Sequence, residues 1–389
     1  MILLICDHKK RELFGLKQLQ KNLISKGAEC RIINKHNIIR AFNYYRPKAI
    51  IFPHTRLHFA KAIDKLKGKT IIVLVPSEHC ALKDDFINVH YLGKYKKYNL
   101  KSSHKKVDFL FVQGEKIKKY LLKKKIFEKN KIIVSGHLGY NFWFTSSKNL
   151  NNKSDIIGIA LTNELATKRH NNKNFLKTLY EMDKEINFYY NPWRMFQLNY
   201  DLFYLTIIFE LLRKILNKFK VSLRTHVVDA ESKYDFINSK NFNFDNNPNV
   251  YEWIKDKKVI ISTFSFMNID SYIFKKPHIS LLKMIPDKFY FNAYNSFNYK
   301  EFSEPNSYTP KNFNELLKIL KNVKFKKNKS LDIKLKQYYN YPNKLNPVEI
   351  ISNNLIKILN NYNKKFINIE LKKDNILRKI FGIKFSSLL

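Results

Sequence analysis

Glycine is scarce in this chain, with nine residues in 389, and proline is nearly so, with eleven. Collagen-like, mucin-like and linker-dominated proteins are excluded by that alone. There are three cysteines, Cys6, Cys30 and Cys80, far apart in sequence. They cannot build a disulfide scaffold and lack the paired spacing of a zinc site, and they suit a reducing interior. Long apolar runs are missing too. The most apolar stretch, residues 202–216, is interrupted by Glu210, Arg213 and Lys214 and falls short of the roughly 20 residues a membrane span needs. The apolar start at 1–6 runs straight into Asp7, His8, Lys9, Lys10 and Arg11, which is not the layout of a secretory leader. The expectation is a cytoplasmic protein, with peripheral contact to the inner membrane left open.

Acidic residues are also few: 32 Asp and Glu against 72 Lys and Arg, a net charge of +40. An excess of this size points to anionic partners, nucleic acid or a membrane surface. A second explanation competes with it. Lysine is abundant together with Asn, Ile, Phe and Tyr, the residues of A/T-rich codons. The surface attracts anions under either explanation. The apolar share of 44% and aromatic share of 15% describe a globular chain long enough for two domains.

Short β-rich runs alternate with helical spacing. Strands are expected at 2–6, 30–33, 49–52, 70–75, 109–112 and 131–134, and helices on the leucines at 13, 16, 19 and 23 and at 116–125. The polar stretch 145–153 (TSSKNLNNK) reads as a linker. The pattern resumes with strands at 156–161, 221–224, 259–262 and 277–281, and helices at 201–220, 265–274, 312–320 and 348–361. The segment 364–389 has the composition of a basic amphipathic helix. Strands separated by helices imply parallel sheets covered on both faces. The fold class is therefore α/β, with two doubly wound, Rossmann-like domains at 1–150 and 151–345 and C-terminal helices with a basic tail at 346–389. Ligands of such sheets bind beyond the carboxyl ends of the strands, in this arrangement at a cleft between two domains.

Four polar clusters follow strands. In Val75-Pro76-Ser77-Glu78-His79, a carboxylate beside an imidazole is suited to general base work, or is a solvated loop. In Ser135-Gly136-His137-Leu138-Gly139, glycines allow close backbone approach, or merely turn a corner. Arg224-Thr225-His226 offers a charged donor and a ring nitrogen to a phosphate. Ser262-Thr263-Phe264-Ser265 leads into a helix holding Asp270. Hydroxyls and a helix start suit a phosphate, and Asp270 a ribose hydroxyl, although a serine N-cap is common. Neither a metal-ligand pattern nor a Walker or Gly-x-Ser-x-Gly motif occurs.

In this order the clusters resemble the GT-B glycosyltransferases of bacterial surface-carbohydrate synthesis. They are most similar to surface carbohydrate biosynthesis proteins, distant kin of the Kdo- and sialic-acid-transferring enzymes. The resemblance spans most of residues 1–285 in motif order. It implies a metal-independent transfer from a nucleotide-sugar donor, with no further cofactor, to a surface-polysaccharide or lipopolysaccharide acceptor that is free or lipid-linked. Glu78, beside His79, would be the base, and Ser135, Gly136 and His137 a cleft loop. Arg224, His226, Ser262, Thr263 and Ser265 would hold the donor phosphate, and Asp270 the ribose. Lys276-Pro277 matches the family's Gly-Lys-Pro, with Lys275 in the glycine's place, and the His-Pro motif reads His226-Val227. Related architectures also transfer polyol phosphate from CDP donors or epimerise sugar nucleotides. A non-enzymatic polyanion-binding protein is the remaining alternative, and nucleic acid is not the expected partner, because the lysines and arginines are spread along the whole chain without a recognised motif.

Overall fold

The computed structural model describes residues 1–55, 57–77, 103–140, 154–161, 192–225, 236–245, 247, 249–263, 265–286, 299–342 and 346–361. The chain forms two compact units. Unit 1 combines Met1–Thr145 with Asp332–Leu389, and unit 2 is Ser146–Leu331. The expected linker at 145–153 and the tail at 364–389 lie outside the described residues.

Among the described residues, unit 1 holds six strands: β1 (Ile2–Cys6), β2 (Cys30–Asn34), β3 (Ala49–Phe52), β4 (Ile71–Leu74), β5 (Phe109–Val112) and β6 (Ile132–Val134). All pair in parallel, in the order β2-β1-β3-β4-β5-β6. Side chains alternate across a strand, and both faces are buried. Leu3, Ile5, Ile50, Phe52, Ile72 and Leu74 pack with Phe42 of α2 (Ile38–Tyr45), Phe59 and Ile63 of α3 (Leu57–Leu66) and Leu121 of α4 (Glu115–Lys123). Ile2, Leu4, Cys6, Ile51 and Val73 face the other way, onto Leu16, Leu19 and Leu23 of α1 (Lys9–Ser25).

Unit 2 holds β7 (Ile157–Ala160), β8 (Val221–Arg224), β9 (Phe242–Phe244), β10 (Val259–Ser262), β11 (His278–Ser280) and β12 (Ser307–Tyr308). These are again parallel, in the order β12-β11-β10-β7-β8-β9. Read from the other edge, this is the 3-2-1-4-5-6 order of dinucleotide-binding sheets. One face is covered by α5 (Pro192–Ile215), which buries Tyr204, Ile208, Leu211 and Ile215, and by Leu316 and Leu320 of α8 (Phe313–Asn322). Two shorter helices, α6 (Val250–Lys255) and α7 (Met267–Ile273), flank β10 in sequence. Among the described residues no helix is long and apolar enough to cross a membrane.

The chain re-enters unit 1 within α9 (Lys329–Tyr339) and continues in α10 (Pro347–Asn360). Val348, Ile351 and Leu355 of α10 join the α1 face of the sheet. Residues 332–345, expected with the second domain, thus belong to unit 1, as does α10 of the expected C-terminal segment. Two glycines seat the returning chain. A Cβ on Gly114 would lie 2.3 Å from the carbonyl carbon of Tyr338. Gly136 has φ +91°, and its Cβ would meet Pro347 Cγ at 3.1 Å.

Candidate functional site

In unit 2 the strand order reverses between β7 and β10, so the carboxyl ends of β7, β8 and β10 form the edge where ligands bind in such sheets. Arg224 ends β8 and is buried. Its guanidinium pairs with Asp245 and donates to Asn247 O at 2.7 Å. Its charge is thus held in a set direction by a carboxylate. Ser262 ends β10, Thr263 follows it, and both are fully buried. Ser262 Oγ lies 2.8 Å from His278 Nε2, and His278 Nδ1 lies 2.6 Å from Ser307 Oγ. Hydroxyl, imidazole and hydroxyl therefore run across β10, β11 and β12. Burial pushes the His278 imidazole down to about 3, so it bridges the serines as a neutral ring. Ser265 Oγ accepts from the Met267 N–H at 3.2 Å, one residue ahead of the N-cap position of α7, which Phe266 occupies. Asp270 is buried within α7, and its charge adds to the burial that pushes the Tyr251 hydroxyl well up. His226 lies outside the described residues.

In unit 1, Glu78 and His79 also lie outside the described residues. Ser135 is buried, and its hydroxyl donates to Gly136 O at 3.0 Å. Gly136 packs against Pro347, as above. His137 Nδ1 accepts from the Gly139 N–H at 3.2 Å, and Nε2 faces Ser77 O at 3.3 Å. The loops after β4 and β6, two of the four sequence clusters, are therefore tied together through Ser77 and His137.

Ser77 leads to a cluster that the sequence reading passed over. The order of this sheet reverses between β1 and β3, and polar side chains converge at the carboxyl end of that position. Asp7, directly after β1, has a side chain only 2% exposed. Its oxygens lie 2.6 Å from Lys35 Nζ and 3.0 Å from His54 Nε2, with His8 Nε2 and Arg11 each at 3.6 Å. Lys35 follows β2 and His54 follows β3. Burial alone would raise the Asp7 carboxyl, but the hydrogen bonds from His54 and Lys35 outweigh it and hold the group well below the usual carboxylate range. Glu12, in the first turn of α1, reaches back to accept from the Asp7 N–H at 2.6 Å, from Ser77 Oγ at 2.8 Å and from Arg11 at 3.0 Å. Burial dominates there and pushes its carboxyl up, against the nearby Arg11. Asp7 is therefore the anchored anion of the pair, and Glu12 the first to take a proton. The sequence signal was present: a strand ending in Asp-His at a helix start is the same pattern that singled out Glu78-His79.

No protein-family model matches the chain, and no curated protein matches it in sequence. Solved structures do match in fold. The UDP-GlcNAc 2-epimerase of Methanocaldococcus jannaschii, in complex with UDP-GlcNAc and UDP, is 14% identical with a TM-score of 0.51, over 93% of this chain and 100% of its own. The wall teichoic acid polymerase TagF is 12% identical with a TM-score of 0.54, over 93% and 89%. MnaA of S. aureus with UDP is 11% identical with a TM-score of 0.54, over 95% and 99%. At these identities it is the fold that is shared. The protein is an α/β protein of the GT-B type, with a doubly wound, Rossmann-like sheet in each unit.

Proposed function

We propose that the protein is a glycosyltransferase that moves a sugar from a nucleotide-sugar donor to a surface-polysaccharide or lipopolysaccharide acceptor without a metal ion. It would work in the cytoplasm, peripheral to the inner membrane. The observation that carries this reading is the 3-2-1-4-5-6 strand order of unit 2, with Arg224 and Ser262-Thr263 ending strands on either side of β7. A nucleotide bound at that edge has its phosphates near an oriented guanidinium and two hydroxyl residues. Such groups stabilise the charge that develops on a leaving phosphate. His226 continues the same strand end in sequence, and Asp270 is the candidate partner of the ribose. On the acceptor side, Glu78 with His79 is the sequence candidate for the base. The solved structures of like fold include proteins bound to UDP, to UDP-GlcNAc and a teichoic acid polymerase, which supports a nucleotide-linked substrate.

The test is thermal stabilisation by CMP, UDP, GDP, dTDP and CDP-glycerol, with and without EDTA. A ligand at about 100 times its dissociation constant adds about 2.7 kcal/mol. The expected result is a selective shift that EDTA leaves unchanged and that His226→Ala removes. A shift with CDP-glycerol alone would favour a polyol-phosphate transferase. No shift with any nucleotide would sink the reading and promote a polyanion-binding protein, identified by its salt dependence.

A further inference from the structure

We propose that unit 1 carries a second binding site, apart from the strand ends described above, that holds a chain of acidic sugars against Tyr44 and Arg31. The choice of a saccharide rests on the transfer reaction proposed above. Three observations carry the site. The first is an aromatic ring left in solvent. Tyr44, in the last turn of α2, is 78% exposed, and among the described residues of α2 and β2 it is the one large apolar side chain that is exposed. The second is an assembled stack. The rings of Tyr44 and Tyr45 meet edge to face with centroids 4.7 Å apart. The Arg31 guanidinium lies 5.0 Å over the Tyr45 ring, with its Nη1 3.5 Å from the Tyr45 hydroxyl. Tyr45 is itself packed against the core, so it holds both the exposed ring and the cation in place.

The third observation is charge. Arg31 on β2, and Arg46 and Lys48 directly after α2, are exposed. Lys48 and Lys69 precede the paired strands β3 and β4. Among the described residues no carboxylate lies within ion-pair distance of Arg31, Lys48 or Lys69. The acids of this edge are Glu29, ahead of β2, and Asp108, ahead of β5, whose carboxylate accepts from the Ile72 N–H at 2.8 Å. Arg31 lies at the start of β2 and residues 44–48 lead into β3, so the patch is at the amino edge of the sheet. The clusters around Asp7, Ser77 and His137 are at its carboxyl edge, about 13 Å away along a four-residue strand.

A tyrosine ring offers a flat apolar face with a hydroxyl at its rim, at little cost in side-chain freedom. That face suits the C–H side of a sugar ring. A guanidinium held beside it grips a carboxylate with two parallel hydrogen bonds. A chain of acidic sugars supplies both groups in every residue. A nucleic-acid strand stacks on successive rings, whereas the second ring here is taken by Arg31 and Tyr44. A lipid surface needs a wider apolar face than one side chain. A saccharide held at this edge leaves the carboxyl edge free, so the patch tethers a polymer whose reacting end lies elsewhere.

The experiment measures binding of oligogalacturonate, with neutral maltooligosaccharide, oligo(dT) and phosphatidylglycerol vesicles as the other probes. A chain at +40 takes up any polyanion to some degree. Tyr44→Ala leaves that charge unchanged, so it reads the site alone. It should weaken oligogalacturonate binding about tenfold, while Tyr44→Phe keeps it. Arg31→Gln should cost about tenfold too, whereas Lys123→Gln, which removes the same charge from α4, should cost far less. Maltooligosaccharide should bind more weakly than oligogalacturonate. Equal binding by Tyr44→Ala and wild type overturns the site, as does a loss in Lys123→Gln as large as in Arg31→Gln. Tighter binding of oligo(dT) or of the vesicles that depends on Tyr44 gives the patch to nucleic acid or to lipid and overturns it as well. Thermal stabilisation by nucleotides is followed in the same variants and should be unaltered. If it is absent throughout while oligogalacturonate still depends on Tyr44, the transferase reading fails and the site stands. If it is present and oligogalacturonate ignores Tyr44, this site alone fails.

Discussion

Among the described residues, four other than glycine hold a positive φ: Arg46, Lys125, Lys275 and Asn340. Two of them repeat one motif. After α7, the Lys275 N–H bonds to Tyr272 O and the Lys276 N–H to Ser271 O. After α4, Lys125 bonds to Leu122 O and Ile126 to Leu121 O. After α1 the same pair of bonds closes on Gly27, at φ +79°. This is the helix ending that prefers glycine, because a Cβ clashes in the left-handed conformation. Lysine therefore fills two positions where glycine fits better, and one of them, Lys275, is where the GT-B resemblance expects the glycine. Lys275→Gly and Lys125→Gly should each stabilise the protein by about 0.5–1 kcal/mol, the relief of strain less the added freedom of the unfolded chain. The urea midpoint is the measurement, and unchanged or lower midpoints would show that the strain is already relieved by the surroundings. At this scale the candidate site was half legible. Arg224, Ser262 and Thr263 stand at strand ends as expected. Asp7 was read only as part of a polar stretch, because the partners that give it meaning, Lys35 and His54, are 28 and 47 residues away.

Among the elements, the edge of the sheet in unit 2 depends on a single neutral ring. His278 links β10 to β12 through Ser262 and Ser307. The unfolded chain takes up a proton near pH 6.5, and the folded chain only near 3. The folded pKa is depressed, so the neutral ring's stability is full above 6.5 and is lost as pH falls through that window. Between pH 6.5 and 5 the loss is about 2 kcal/mol. His278→Gln should be flatter with pH by that amount in urea titrations at pH 7 and 5. Equal pH dependence in both proteins would mean that the ring protonates without opening the sheet. Most strands were legible because parallel strands buried on both faces are continuous apolar runs, as in β1 and β3. The two missed strands, β9 and β12, are three and two residues long and carry Asn243 and Ser307. Helix α9 was missed because Lys329, Lys334 and Lys336 separate its buried Leu331, Leu335 and Tyr338. Helix α5 starts at Pro192, ahead of the expected 201, with proline at the first helical position.

For the molecule as a whole the governing quantity is charge. A chain at +40 repels itself in the compact state. Ionic strength raised from about 0.05 M to about 0.5 M shortens the Debye length from over 10 Å to about 4 Å and should raise the melting temperature. A melting temperature that falls with salt would mean that ion pairs such as Lys35–Asp7 outweigh the repulsion. The same scale settles what binary patterning could not. Two α/β units were legible from the alternation of strands and helices, but the return of α10 to the α1 face was not, since nothing local in Pro347–Asn360 says which sheet it covers. That return has a consequence during synthesis. Unit 2 is one continuous stretch, Ser146–Leu331, whereas the sheet of unit 1 keeps Leu4, Ile51 and Val73 on a face that α10 helps to close. As the ribosome extends the chain, the earlier sheet waits with part of that face uncovered until residue 360 has emerged. The unit that begins later in the sequence is the one whose residues are complete first, and the face of the earlier sheet that α10 covers is the part left open longest.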